Sequence, residues 1–124
     1  MSDRAFHRWV FRIAAVSDGL GGAAMFLAPS WTFHQFGVAE PGHPAFIQFP
    51  GAVLMIFAAM FNKIAQEPAQ FRHLIPYGIA LNAAYCALAL WYGLNPGIPT
   101  MWKTVAIIEL VMGVLFVHAY QSNA

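Results

Sequence analysis

The stretch "RWVFRIAAVSDGLGGAAMFLAP", residues 8 to 29, decides how this chain folds. It is long and apolar enough to cross a hydrocarbon core of about 30 Å as one helix, and Pro29, with no backbone N–H to give, ends it. Yet Asp18 stands in its middle, with Gly19, Gly21 and Gly22 directly behind. A cleavable signal peptide needs an unbroken apolar centre, and Arg12 and Asp18 interrupt this one. The segment is therefore expected to be a retained first span.

The rest of the composition agrees. Hydrophobic residues make up 60% of the 124 and charged residues 9%, against about 25% charged in soluble domains. So little polar surface cannot cover a globule in water, and the lipid bilayer becomes the expected partner. At about 20 residues per spanning helix, the length admits one domain of four spans with short connections. A net charge of +1 supplies no basic field for nucleic acid, and the lone Cys86 excludes an internal disulfide.

Working outward, "SWTFHQFG" (30–37) reads as a short interfacial helix that Ser30 can cap and Gly37 can close. The further spans are expected at about 45–62, with Pro50 in its opening turns, at 74–92, and at 101–120 after the "NPGIP" breakers, with the first at 8–28. The fold class is thus all-α, an integral-membrane four-helix bundle forming a single domain over 1–124. Arg4, Arg8, Arg12, Lys63 and Arg72 fall on one side and only Lys103 on the other. The positive-inside rule then places both termini in the cytoplasm. Trp9 and Tyr120 would mark the inner interface, and Trp31, Trp91, Tyr92 and Trp102 the outer one.

Each span carries a polar residue at depth. Counting 1.5 Å per residue from the basic end brings Asp18 and Glu109 near mid-bilayer, with Asn82 close by in the third span and Gln48 nearer the outer side in the second. At 100° per residue, Asp18 shares a side with Gly19 and Gly22, Gln48 with Gly51 and Met55, Asn82 with Gly78, Tyr85 and Cys86, and Glu109 with Met112, Gly113 and Phe116. Small residues let helices approach closely in lipid, so these sides should face inward. The glycines of the first span are expected to meet the fourth, bringing Asp18 level with Glu109. Two neighbouring carboxyls cannot both ionise cheaply; at least one is expected to be protonated, unless Arg12 or Lys103 reaches along its helix to neutralise it.

Asp18, Glu109, Asn82, Gln48 and Tyr85 are therefore the candidate ligand- or proton-binding residues. Serving only as interhelical glue, such groups would contribute about 0.6 kcal/mol per hydrogen bond. An intramembrane acid costs more than that to insert, which favours a functional use. His34, Glu40 and His43 share one outer loop and offer imidazole and carboxylate, but a lone widely spaced set leaves the expectation at no metal site. His118, His7 and His73 are assigned to the cytoplasmic headgroup layer. No nucleophile motif, phosphate loop, CxxC, CxxCH or HExxH pattern is present, and an enzyme is the less favoured class.

The order of features resembles that of the small four-helix bacterial inner-membrane proteins grouped as DoxX-like. It lies in the glycine-rich first helix ending "FLAPSW", the short aromatic segment with "FG", then "FPGAVLMIFAAM", and a last helix with "IELVMGVLF". The resemblance covers most of the chain. It implies a four-helix membrane fold, association in some members with membrane oxidoreductases or quinone-linked systems, and Glu109 as counterpart of an acid in the last helix. Asp18 departs from it. Three functions follow as expectations. The leading one is an accessory subunit that packs through its glycine- and alanine-rich faces, as a homo-oligomer or in a larger membrane complex. The others are a binding or transport module for a proton, cation or small molecule at Asp18 and Glu109, and a quinone-binding subunit. No other cofactor is expected.

Overall fold

The computed structural model describes the backbone of residues 3–35, 37, 39, 42–94 and 100–121, and the side chains among these except 3, 92–94 and 100–104. Every regular element among the described residues is a helix: α1 (Asp3–Leu27), α2 (Pro29–Gln35), α3 (Ala45–Gln66), a 3-10 turn (Arg72–Leu74), α4 (Ile75–Leu94) and α5 (Thr100–Gln121). Among the described residues three stretches are long and apolar enough to cross a membrane, Arg4–Leu27, Ala45–Gln66 and Arg72–Trp91, and the described apolar part of α5, Val105–Gln121, is shorter.

The four long helices cover the four expected spans, with differences at the basic ends. The first begins at Asp3 rather than near residue 8, and the second, α3, continues past residue 62 to Gln66. Both extensions are polar by composition but carry buried residues, His7 on α1, continuing the buried face of Val10 and Phe11, and Ile64 and Ala65 on α3. A helix with one face buried continues as long as that face has something to pack on. His7, expected among the headgroups, is fully buried, whereas His73 and His118 are exposed.

Residue pairings run antiparallel between neighbours: Gly22 against Gly51 for α1 and α3, Phe61 against Gly78 for α3 and α4, Asn82 against Gly113 for α4 and α5, and Phe11 against Phe116 for α5 and α1. Contact is concentrated within the α1–α3 and α4–α5 hairpins. The two hairpins join at the basic end, where Phe11 stacks on Phe116 at 4.7 Å and 17°, and Phe61 tilts against both at 6.0 and 5.1 Å. Such ring pairs contribute about 0.5–1.5 kcal/mol beyond area burial. Gly78 makes room for them, since a Cβ there would stand 2.7 Å from Phe61 Cε1. At the same end, the Arg72 guanidinium donates to the Tyr120 carbonyl and lies 4.5 Å from the Tyr120 ring centroid, tying the last turn of α5 to the connector before α4.

The glycines of α1 do not meet the fourth span. Gly19 and Gly22 pack on α3: a Cβ on Gly22 would stand 2.5 Å from the Gly51 carbonyl oxygen, and one on Gly19 would touch Ala58 at 3.5 Å, while Gly21 faces nothing within 4 Å. The reason is mutual. Gly51 needs the same closeness, its own Cβ falling 2.8 Å from the Gly22 oxygen, and α5 offers no glycine at that level. The short helix also differs from expectation. It starts at Pro29 rather than after a Ser30 cap, and it buries Thr32 while leaving Trp31 exposed. Thr32 Oγ1 donates to the Ala24 and Ala28 carbonyls at 3.0 and 2.9 Å, which folds α2 back on the end of α1. Gly37 closes it as expected, at φ +65 with its N–H on the His34 carbonyl.

Candidate functional site

Asp18 reaches its position because α1 turns Gly19 and Gly22 toward α3, leaving the adjacent face, with Ala14 and Ser17, toward α4 and α5. There Ser17 and Asp18 line one small cavity with Asn82 of α4 and Glu109, Met112 and Phe116 of α5. Phe116 belongs to the aromatic cluster, so the cavity sits just above the joint between the hairpins. Its volume is about 10 Å³, close to the space one water needs. Asp18 and Glu109 are half-buried, Asn82 nearly fully so, and the two acids lie within electrostatic reach of each other.

Asn82 organises the α4 side. Oriented so that its amide nitrogen donates to Glu109 Oε2, its oxygen accepts the Gly113 N–H at 3.3 Å. Gly113 is small enough to allow this, the nearest approach of a Cβ there being 3.4 Å to Asn82 Cβ. One turn further, the Cys86 thiol donates to the Ala106 carbonyl at 3.7 Å. A carboxyl thus has a fixed donor on one side and a second carboxyl across a water-sized gap on the other. Oxygens so placed can hold and hand over a proton.

Asn82 and Glu109 also line a second, larger cavity on the outward face of the α4–α5 hairpin. It has a volume of about 310 Å³ and walls that include Ile79, Ala83, Leu110 and Val114. Glu109 therefore borders both the inner gap and this open groove.

The other candidate residues lie elsewhere. Gln48 is in the first turn of α3, where its Nε2 donates to the Phe26 carbonyl at 3.2 Å, joining α3 to the far end of α1 and away from both cavities. Tyr85 is half-buried and within electrostatic reach of Glu109, but is not among the residues lining either cavity. Arg12 is exposed, and it is not among the groups acting on either acid. The Lys103 side chain and Glu40 fall outside the described residues. His34 and His43 are exposed, and His43 Nδ1 accepts the Ala45 N–H at 3.1 Å at the start of α3. Among the described residues no group of three or more His, Cys, Asp or Glu could hold a metal. Sequence reasoning missed Ser17 and the Gly113 N–H. Ser17 had a usable signal, its place next to Asp18; the amide of Gly113 had none, because a backbone donor inside a helix becomes a partner only through the neighbouring helix. Comparison with protein-family models, curated proteins and solved structures finds no match.

Proposed function

We propose that the chain is a four-helix bundle inserted in a bacterial inner membrane, with both termini cytoplasmic, that binds a proton or a small ligand at Asp18, Asn82 and Glu109. The five-to-one distribution of basic residues supports the orientation. Large apolar side chains exposed along α1, α3 and α5, such as Leu20, Phe49, Ile56, Ile107 and Val114, suit contact with lipid. The observation that carries the binding role is that acids from helices at opposite ends of the sequence line one water-sized cavity. An acid costs about 3 kcal/mol at mid-bilayer on insertion scales, and two of them facing one another add repulsion that interhelical glue does not require.

The accessory-subunit role relies on glycine-rich faces for docking. Gly22, Gly51 and Gly78 are enclosed by the chain's own helices, which leaves Gly21 and the apolar rim for a partner. The likeness to the DoxX-like group is compatible with either role.

The test is proton movement in proteoliposomes carrying a pH-sensitive dye, comparing the native protein with Asp18→Asn and Glu109→Gln. Under a pH gradient the native protein should collapse the gradient faster than empty liposomes, and each variant should lose that excess with its helical circular dichroism unchanged. Equal rates in all three proteins would overturn the proposal.

A further inference from the structure

The outward groove of the α4–α5 hairpin has features that contact with lipid tails does not need. Its lining is almost wholly aliphatic, yet Asn82, Cys86 and Glu109 reach it. At about 310 Å³ it stands at the small end of ligand sites. Leu110 and Val114 are exposed at its rim, so it opens sideways rather than along the helices.

We propose that this groove admits a single-chain lipophilic amine from the side, its nitrogen at Glu109 and its hydrocarbon chain between Ile79 and Val114. The proposal rests on the binding role above and names its ligand class. Charge complementarity selects the amine. Asn82 supplies one donor to Glu109, leaving acceptor lone pairs on that carboxyl and on Asp18 behind it, and neither acid has a basic partner among the described residues. An ammonium brings three donors and no acceptor. An amine crosses hydrocarbon uncharged; at the site the proton of a carboxylic acid moves to its nitrogen, one O–H bond breaking as one N–H forms, and the resulting ammonium and carboxylate neutralise each other. A carboxyl-headed chain of equal length has no basic atom to take that proton, so it forms no ion pair there.

The probe is decylamine with a photoreactive diazirine in its chain, irradiated with the protein in lipid nanodiscs. Adducts should concentrate in residues 79–86 and 110–117, and unlabelled decylamine should compete them away while decanoic acid does not. Glu109→Gln should weaken that competition about tenfold or more, as loss of a hydrogen bond to a charged group does. Val114→Trp, at an exposed position where folding is little disturbed, should abolish it by filling the groove. Adducts spread over all helices and insensitive to decylamine would mean that only acyl chains occupy the groove. Equal competition by decanoic acid would remove the charge argument. Either result, alongside carboxyl-dependent proton movement in liposomes, sinks the amine alone; loss of that movement as well sinks the binding role with it.

Discussion

Replacing Gly22 with alanine should destabilise the protein, and replacing Gly21, its neighbour, should not. A Cβ at Gly22 would stand 2.5 Å from the Gly51 carbonyl oxygen and 3.0 Å from both Leu54 Cβ and the Met55 nitrogen, where ordinary contacts are about 3.5–4.0 Å. Two of these three neighbours are backbone atoms, so no rotamer change relieves the clash and the helices must part by about 1 Å. A gap of that size forfeits a quarter to a half of each facing contact of ~0.1–0.2 kcal/mol; over a seam of some tens of atom pairs that is about 1–2 kcal/mol. Local strain adds about 1–3 kcal/mol, and alanine's better helix propensity returns about 1. The net loss is about 2 kcal/mol. At Gly21 nothing lies within 4 Å, leaving only the gain of up to about 1 kcal/mol. Reversible unfolding in mixed micelles, titrated with sodium dodecyl sulfate and followed by helicity and tryptophan fluorescence, should separate the two variants by about 3 kcal/mol. Gly51→Ala should behave like Gly22→Ala, and the double variant should cost less than the sum because the helices part only once. If Gly21→Ala and Gly22→Ala unfold together, the α1–α3 seam is not where the structure puts it.

Other perturbations test the remaining joints. Phe116→Ala, which removes the ring stacked on Phe11, should cost about 3 kcal/mol or more and allow the two hairpins to separate, read as a rise in distance between spin labels on α1 and α5. Asn82→Ala should cost up to about 1.7 kcal/mol, the largest interhelical hydrogen-bond energy measured in lipid, whereas Asn82→Gln should fail to restore it because the added methylene crowds Gly113. Arg72→Ala should leave the global transition within about 1–2 kcal/mol of the native protein but speed amide exchange in the last turn of α5; unchanged exchange there would refute the Arg72–Tyr120 tie.

Much of the fold was legible because it depends on local quantities. Hydropathy over a 20-residue window and the breakers Pro29 and Pro99 delimit segments whatever the rest of the molecule does. The same method misjudged the basic ends, where polar residues such as Arg4 and Lys63 outweigh a buried stripe that a window average cannot see. Asp18 and Glu109 could be matched by depth, since counting along two helices needs no partner information. Gln48 could not be sorted the same way: it shares a face with Gly51, but its amide reaches the Phe26 carbonyl because α3 crosses α1 at that level.

The sequence by itself determined the number of long helices and where each is centred, the end of the chain's helices at which basic residues collect, and the matching level of the two acids, since each follows from residue order and helix geometry alone. Which helix the glycines of α1 embrace was decided only in three dimensions. A small-residue face is permissive toward any neighbour, and it becomes selective only when the opposing backbone has its own gap at the same height, as Gly51 does for Gly22. Tertiary structure likewise decided that Glu109 stands between an inner gap and an outward groove, because that position depends on how α4, through Asn82 and Gly113, is set against α5.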